Sequence, residues 1–283
     1  GNEIALHSIS VNTNPYDYWK SLDTEGWERE FVDERLMVAK YAKVPARDIR
    51  GLRGPFLFTG GDAGFRMLHH HFDYDCTLIH KRDGPDDAPV FPFTLDYGFR
   101  KPCMVQECPN ATYPGLWTVP LNYLFGKDKI GEDDEHGHCA MADACLPQPE
   151  TSKDTFEYLR FNFDNFYNTN RAPFPVSLQE ASLQGQRTEE RLPSLRGLDP
   201  AKGRRVPGHR VRGARLHEGP QAQTKATLSV TALKKNLPES TCPKMRNVSH
   251  YPTTLRGGER YMRICGTTCP RKLTRRVNNP DGN

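Results

Sequence analysis

The first eighty residues alternate between strand-like and helical segments, and this alternation constrains the fold more than any other feature of the sequence. Apolar runs of strand length stand between stretches in which apolar residues recur at helical spacing. The order strand, helix, strand, helix, strand is typical of α/β proteins with parallel strands, either barrels or open sheets. The predicted strands are Glu3–Ser10, Arg53–Thr59 and Phe72–Ile79, and the predicted helices run from Asp23 or Thr24 to about Lys43 and over Asp62–His71.

Beyond His80 the periodicity weakens, and residues from about 80 to 150 are rich in proline and cysteine. We predict a long loop insertion here. Its short cysteine spacings predict two local disulfides, Cys103 with Cys108 and Cys139 with Cys145, which would staple the loops. An amphipathic helix over Asp154–Asn168 and a strand over Ala172–Leu178 are predicted to follow.

The basic charge of the chain is concentrated in one segment. The net charge is +4, but residues 184–220 alone hold eight Arg and one Lys against three Glu and one Asp. They also hold six Gly and four Pro and no Phe, Tyr, Trp or Ile, so they cannot build a core. Codons can be chosen for this segment such that its coding sequence, read in the frame that starts one base later, encodes amphipathic helices on either side of the strand-like run FLVTV. We therefore hypothesise that a frameshift or splice error produced this aberrant segment.

Composition and motifs narrow the class of protein. Eight cysteines and the two sequons at Asn110 and Asn247 favour a secreted, disulfide-bonded glycoprotein. Apolar runs are too short for a membrane span. The arginines between Arg204 and Arg215 lack the interleaved aromatic residues that stack on nucleic-acid bases, so we expect no nucleic-acid partner.

Several histidines are candidate metal ligands. The histidines at 69–71 lie at the end of a predicted helix, and we expect them to face solvent. His136 and His138 lie in a stretch that we predict to be a flexible acidic loop. Cys265 and Cys269 fit a disulfide better than zinc, because no second ligand pair is near. His7, at the end of the first predicted strand, is more informative.

Three short stretches in order, His7–Ser10, Arg53–Phe56 and Tyr74–Asp75, resemble motifs of the polysaccharide deacetylase (NodB-homology) family, in its chitin-deacetylase-like branch of arthropod and nematode type. The likeness covers residues 1–178 and 241–283. Supporting strings are Phe91–Tyr97, Tyr113–Trp117, Met141–Cys145 and Asn170–Phe174.

The resemblance implies a deformed (β/α) barrel whose strand ends hold one divalent metal, usually zinc, through one Asp and two His. Such a metal activates water to attack the N-acetyl groups of chitin or related N-acetylglucosamine polymers. By the resemblance, His7 is the first metal ligand and Arg53 orients the catalytic carboxylate. Phe56 supplies a backbone N–H to the oxyanion, and Asp75 supports the site.

The chain also departs from this pattern. The second metal His falls at Val11, which has no ligand atom, and the leaving-group His falls at Gln179, which cannot carry a proton at neutral pH. The motif with the two catalytic aspartates would precede Gly1, so we expect the chain to be N-terminally truncated. We expect a chitin-deacetylase-like hydrolase that is inactive as written. The alternative is a non-catalytic chitin-binding or matrix-organising protein on the same scaffold.

The predicted organisation has three parts. Residues 1–183 form a partial barrel with the insertion, residues 184–220 are the aberrant basic segment, and residues 221–283 form a linker and a cysteine-bearing tail.

Overall fold

The computed structural model describes residues 3–10, 15–105, 107–130, 135–179, 246–251 and 260–264. Its helices are α1 (Pro15–Lys20), α2 (Thr24–Tyr41), α3 (Gly61–His71) and α4 (Ser152–Thr169). Its strands are β1 (Gly51–Leu52), β2 (Tyr74–Asp75), β3 (Ile79–His80), β4 (Phe93–Leu95), β5 (Tyr113–Thr118), β6 (Leu121–Asn122), β7 (Leu124–Ile130), β8 (Glu135–Cys139), β9 (Arg246–Tyr251) and β10 (Arg260–Ile264).

A four-stranded sheet in the order β1–β2–β5–β4 organises the first part of the chain. Strands β1, β2 and β5 are parallel, and β4 runs antiparallel at one edge. Leu6 extends the parallel set by a single bridge to Leu52 on the other edge. This mixed α/β content agrees with the predicted fold class, whereas the closed, deformed barrel stays a prediction.

Helix α2 forms where the sequence predicts it, contacts α3 and buries aromatic residues in the main core. The Asp23 side chain accepts the Gly26 N–H at 2.8 Å, which confirms Asp23 as the N-cap. The rings of Trp27 and Phe31, one turn apart, stack with centroids 5.5 Å apart and are almost fully buried. They join Trp19 and Phe65 in the main core.

A second core lies between α4 and the hairpin of β7 and β8. Helix α4 begins with the capping box of Thr151 and Asp154. Its buried Asn162 accepts the Phe125 N–H and donates to the Phe125 carbonyl, both at 2.8 Å. One amide side chain therefore bonds both backbone groups of Phe125 in β7.

Both predicted local disulfides, Cys103–Cys108 and Cys139–Cys145, are present. The prediction that residues 80–150 are loops with little regular structure is wrong in part, because they contain strands β4 to β8 and β5 is a central strand of the main sheet. Strands β4 and β6 are very short, and β5, β7 and β8 contain glycine, so they show no clear alternation.

Three predicted strands also differ from the structure. Glu3–Ser10 is reduced to the single bridge at Leu6, and strand β1 ends before Arg53. Residues 172–178 are not a strand, although Phe174, Val176 and Leu178 pack against the second core. Each stretch buries an apolar residue, Leu6, Phe58 or Ala172, without forming a ladder of strand hydrogen bonds.

The other predictions for the C-terminal part fall mostly outside the described residues. These include the basic segment 184–220 and residues Cys242, Cys265 and Cys269. Within the tail, β9 and β10 pair antiparallel. Across the described ranges, no helix is long and apolar enough to cross a bilayer.

Candidate functional site

The register of the sheet gathers the predicted site residues at one edge. Leu6 aligns with Leu52, Leu52 with Asp75 and Asp75 with Thr118, so these four residues form one row across the parallel strands. Residues that follow the row lie at the carboxyl ends of the strands, the edge at which α/β proteins place their sites. His7 and Arg53 immediately follow two members of this row.

His7 is oriented by a backbone contact. Its ring Nδ1 lies 2.8 Å from the carbonyl oxygen of Arg53. A carbonyl only accepts hydrogen bonds, so Nδ1 carries the proton and Nε2 keeps its lone pair. Burial is the main cause that lowers the pKa of His7, and this favours the neutral ring. A metal-ligating histidine typically has this arrangement, with the outer nitrogen held by a backbone carbonyl or a carboxylate.

Two carboxylates on α2 hold the segment that carries His7. Glu34 accepts the N–H groups of His7 and Ser8, at 3.4 and 2.8 Å. Glu30 accepts the N–H and hydroxyl of Ser10, at 3.0 and 2.9 Å, and also the hydroxyl of Tyr18. Burial, with a contribution from the nearby Glu30, raises the pKa of Glu34 to about 7.

The sequence predicts neither Glu30 nor Glu34 as a site residue. A signal was available for Glu30 alone, since it precedes the buried Phe31 and Val32 and is itself only 1% exposed. An acidic residue on the apolar face of a helix needs donors from another segment, because an unpaired buried carboxylate is costly.

Phe56 lies in a tight turn and not in the predicted strand. Residues Pro55–Leu57 form a 3₁₀ turn, in which Phe56 has φ 53° and ψ 18°. This left-handed conformation is uncommon for a bulky residue. It leaves Phe56 52% exposed while Pro55 and Phe58 are buried. The turn therefore presents an aromatic ring to solvent directly after Arg53 and Gly54.

Asp75 is fully buried and organises the turn after β2. Its carboxylate accepts the N–H groups of Thr77 and Leu78, at 2.9 and 3.2 Å. Thr77 Oγ1 in turn accepts the Gly54 N–H at 2.8 Å, which ties this turn to the one that carries Phe56. Burial raises the pKa of Asp75 against these hydrogen bonds. The supporting role predicted for Asp75 is compatible with this position and stays a prediction.

The described residues do not fit a three-ligand metal site. His7 is one suitably oriented ligand, but nowhere in the described ranges do three His, Cys, Asp or Glu side chains come together to hold a metal ion. Val11 lies outside those ranges and has no ligand atom. Gln179 is exposed, and its backbone N–H donates to Asp143 at 2.7 Å.

The other histidines make separate local contacts. At the end of α3, His69 Nε2 lies 3.1 Å from the Pro114 carbonyl and His71 Nε2 lies 3.0 Å from Glu28. His136 and His138 are on β8 and not in a flexible loop. His136 Nδ1 lies 2.7 Å from the Gly126 carbonyl, and the His138 ring stacks on Tyr123 at 4.8 Å.

Comparison with known proteins gives two related sequences. The chain is 32% identical to "Chitin deacetylase 8" of Bombyx mori over 184 residues, which are 64% of this chain and 45% of that protein. It is 28% identical to "Chitin deacetylase 1" of Bombyx mori over 187 residues, which are 65% of this chain and 34% of that protein. No family model matches the chain.

The chain spans less than half the length of each of these curated relatives. The similarity agrees with the ordered motifs at His7, Arg53 and Asp75, which the sheet aligns at one edge. Over about two thirds of its length the chain is therefore similar in sequence to chitin deacetylases, as the ordered motifs predict.

Proposed function

We propose that this protein has a chitin-deacetylase-like function and that the chain recognises N-acetylglucosamine polymers such as chitin at the carboxyl edge of its parallel strands. With the ligand set of this chain, the polymer is bound and not hydrolysed. The observation that carries the proposal is the exposed ring of Phe56, in the turn that follows Arg53, whose carbonyl contacts the ring of His7.

The chemistry of this edge suits a sugar polymer. An exposed aromatic ring offers an apolar face for a sugar ring, while the free Nε2 of His7 offers a hydrogen-bond acceptor. The turn that presents Phe56 is anchored to Asp75 through Gly54 and Thr77, so it is preorganised for binding.

The absence of hydrolysis follows from the residues that would do the chemistry. Val11 offers no metal ligand where the family pattern has histidine, and Gln179 offers no proton shuttle. Within the part of the chain that the structure describes, His7 is not joined by two further ligands, so no catalytic step is assigned to a metal here.

Binding to insoluble chitin tests the proposal, with cellulose as the control polymer. We expect the full chain to pellet with chitin and not with cellulose, and to release no acetate. Phe56→Ala should weaken binding roughly tenfold or more, as the loss of a central aromatic contact typically does. Equal retention on both polymers, or full binding by Phe56→Ala, would contradict the proposal.

The matched control is Tyr97→Ala. Tyr97 is 81% exposed and follows β4, whose C-terminal residue Leu95 pairs with Tyr113 at the start of β5. Tyr97 therefore lies towards the opposite edge of the sheet. We expect Tyr97→Ala to bind chitin like the wild type.

A second candidate function is hydrolysis of the N-acetyl groups, with zinc as the metal that the family resemblance implies. The observation in its favour is the Nδ1 contact of His7 with the Arg53 carbonyl, which leaves Nε2 free to bind a metal. Stoichiometric zinc in the purified protein, together with acetate release from chitin oligomers, would establish this function and overturn simple binding.

We further propose an extracellular location, which the two disulfides favour because such bonds persist in oxidising compartments.

A further inference from the structure

We propose that Glu34 is a positioning residue that fixes His7 in the orientation used at the binding edge. Its carboxylate does so by holding the backbone N–H groups of His7 and Ser8. The inference deepens the proposed function, and its structural part can be tested without any ligand.

The backbone of this segment forms a concave donor site that Glu34 fills. Ser8 has φ 73°, a left-handed conformation, which turns the N–H groups of His7 and Ser8 towards the same carboxylate. Successive N–H groups beside a left-handed residue form a nest that binds anions. A side chain from α2 thus occupies this nest and stabilises a conformation that serine rarely adopts alone.

The ring of His7 is held at its other end by the neighbouring strand. The Arg53 N–H donates to the Leu6 carbonyl at 3.0 Å, and the Arg53 carbonyl accepts from His7 Nδ1 at 2.8 Å. Leu6 and Arg53 fix where this carbonyl lies, and Glu34 fixes where the His7 backbone lies. Both anchors are needed for the ring to meet the carbonyl and leave Nε2 open.

Glu30 extends the same support one helical turn earlier. Glu30 accepts two hydrogen bonds from Ser10, so the segment from His7 to Ser10 lies along one side of α2. Glu28 is on the same helix but bonds His71 of α3. Glu28 is therefore a matched control for the loss of one carboxylate from α2.

The test is the tautomeric state of His7, read from the ¹⁵N shifts of its ring in the full chain above the pKa of Glu34. In the wild type we expect the Nδ1–H tautomer. In Glu34→Ala we expect both tautomers, together with faster amide exchange at His7 and Ser8. Glu28→Ala should keep the wild-type tautomer. A Glu34→Ala protein that is folded and keeps the Nδ1–H tautomer would overturn the proposal.

Glu34→Gln guards against simple unfolding, because it keeps the size of the side chain. Its amide oxygen can still accept the Ser8 N–H, whereas its NH₂ group cannot accept the His7 N–H. We expect a folded protein whose amide protection is lost at His7 and retained at Ser8. Unchanged protection at His7 would contradict the inferred role.

Chitin binding by the same variants separates the two claims. If the wild type binds chitin, Glu34→Ala should bind about tenfold more weakly. Removing a residue that orients a functional histidine typically has an effect of at least this size. If the wild type does not bind chitin, the proposed function fails. The tautomer of His7 then still decides whether Glu34 positions it.

Discussion

Replacing Gly54 by alanine should open the turn that presents Phe56. Gly54 has φ −65° and ψ 136°, a conformation that alanine adopts without strain. The obstacle is steric, since an added Cβ would lie 2.1 Å from the backbone carbonyl oxygen of Phe58. Backbone atoms cannot rotate away like the end of a flexible side chain, so the turn itself has to move.

The expected cost follows from the contacts that this movement breaks. Gly54 donates to Thr77 Oγ1 at 2.8 Å and accepts the Leu57 N–H at 3.1 Å. Losing a hydrogen bond of this kind costs about 1 kcal/mol, and overpacking costs roughly 1–3 kcal/mol. We expect Gly54→Ala to lower the free energy of unfolding by about 2–4 kcal/mol and to weaken chitin binding in the fraction that remains folded.

Urea unfolding followed by the fluorescence of buried Trp19 and Trp27 measures this change. Gly84→Ala is the control, because an added Cβ at Gly84 meets no atom within 4 Å. It should change the free energy of unfolding by less than about 0.5 kcal/mol. Equal stability and equal chitin binding in the two variants would refute the role assigned to the turn.

Three further predictions concern pH, a disulfide and a modification. The pKa of Glu34 is raised from 4.5 to about 7 in the fold, so its stabilising contribution is complete below pH 4.5 and is lost as the pH rises to about 7. The free energy of unfolding should fall by at most about 3 kcal/mol over this pH range, as measured by urea unfolding of the wild type. Glu34→Gln has no carboxyl group at this position and should not show the fall. Replacing Cys139 and Cys145 together by serine should lower the free energy of unfolding by about 2 kcal/mol, because the bond closes a short loop; an unchanged urea midpoint would contradict this. Asn110 is exposed, and its N–H is fixed on Asp62 at 2.9 Å, so protein secreted from insect cells should carry a glycan there. By intact mass, Asn110→Gln should lose one glycan and Thr112→Ser should keep it, and an Asn110→Gln protein with as much glycan as the wild type would disprove the modification.

The helices could be predicted because their signals are local. Asp23 caps α2, and the apolar face that includes Trp27 and Phe31 repeats at helical spacing over several turns. Helices α3 and α4 are found within two residues of their predicted starts, for the same reason.

The strands could not be placed as well, because burial and strand pairing are separate properties. The stretch from Arg53 to Thr59 has the apolar content of a strand, but Phe56 turns left-handed and the chain buries Phe58 through a turn. Strand β5 contains Pro114 and Gly115, which obscure its alternation, yet tertiary pairing with β2 keeps it in the sheet.

The site was predictable only where a motif marks it. His7, Arg53 and Asp75 belong to recognisable short motifs, and the register of the sheet brings them to one edge. Glu34 has no motif, and its contact with Ser8 spans 26 residues of sequence, so only the folded arrangement of α2 reveals it.

The most direct test of the proposed binding site is an NMR titration of the full chain with soluble chitin oligosaccharides. Binding at the carboxyl edge of the parallel strands predicts shift changes concentrated at His7, Arg53 and Phe56, with little change at Tyr97. Saturable binding that perturbs Tyr97 and leaves His7 and Phe56 unchanged would contradict the proposed site.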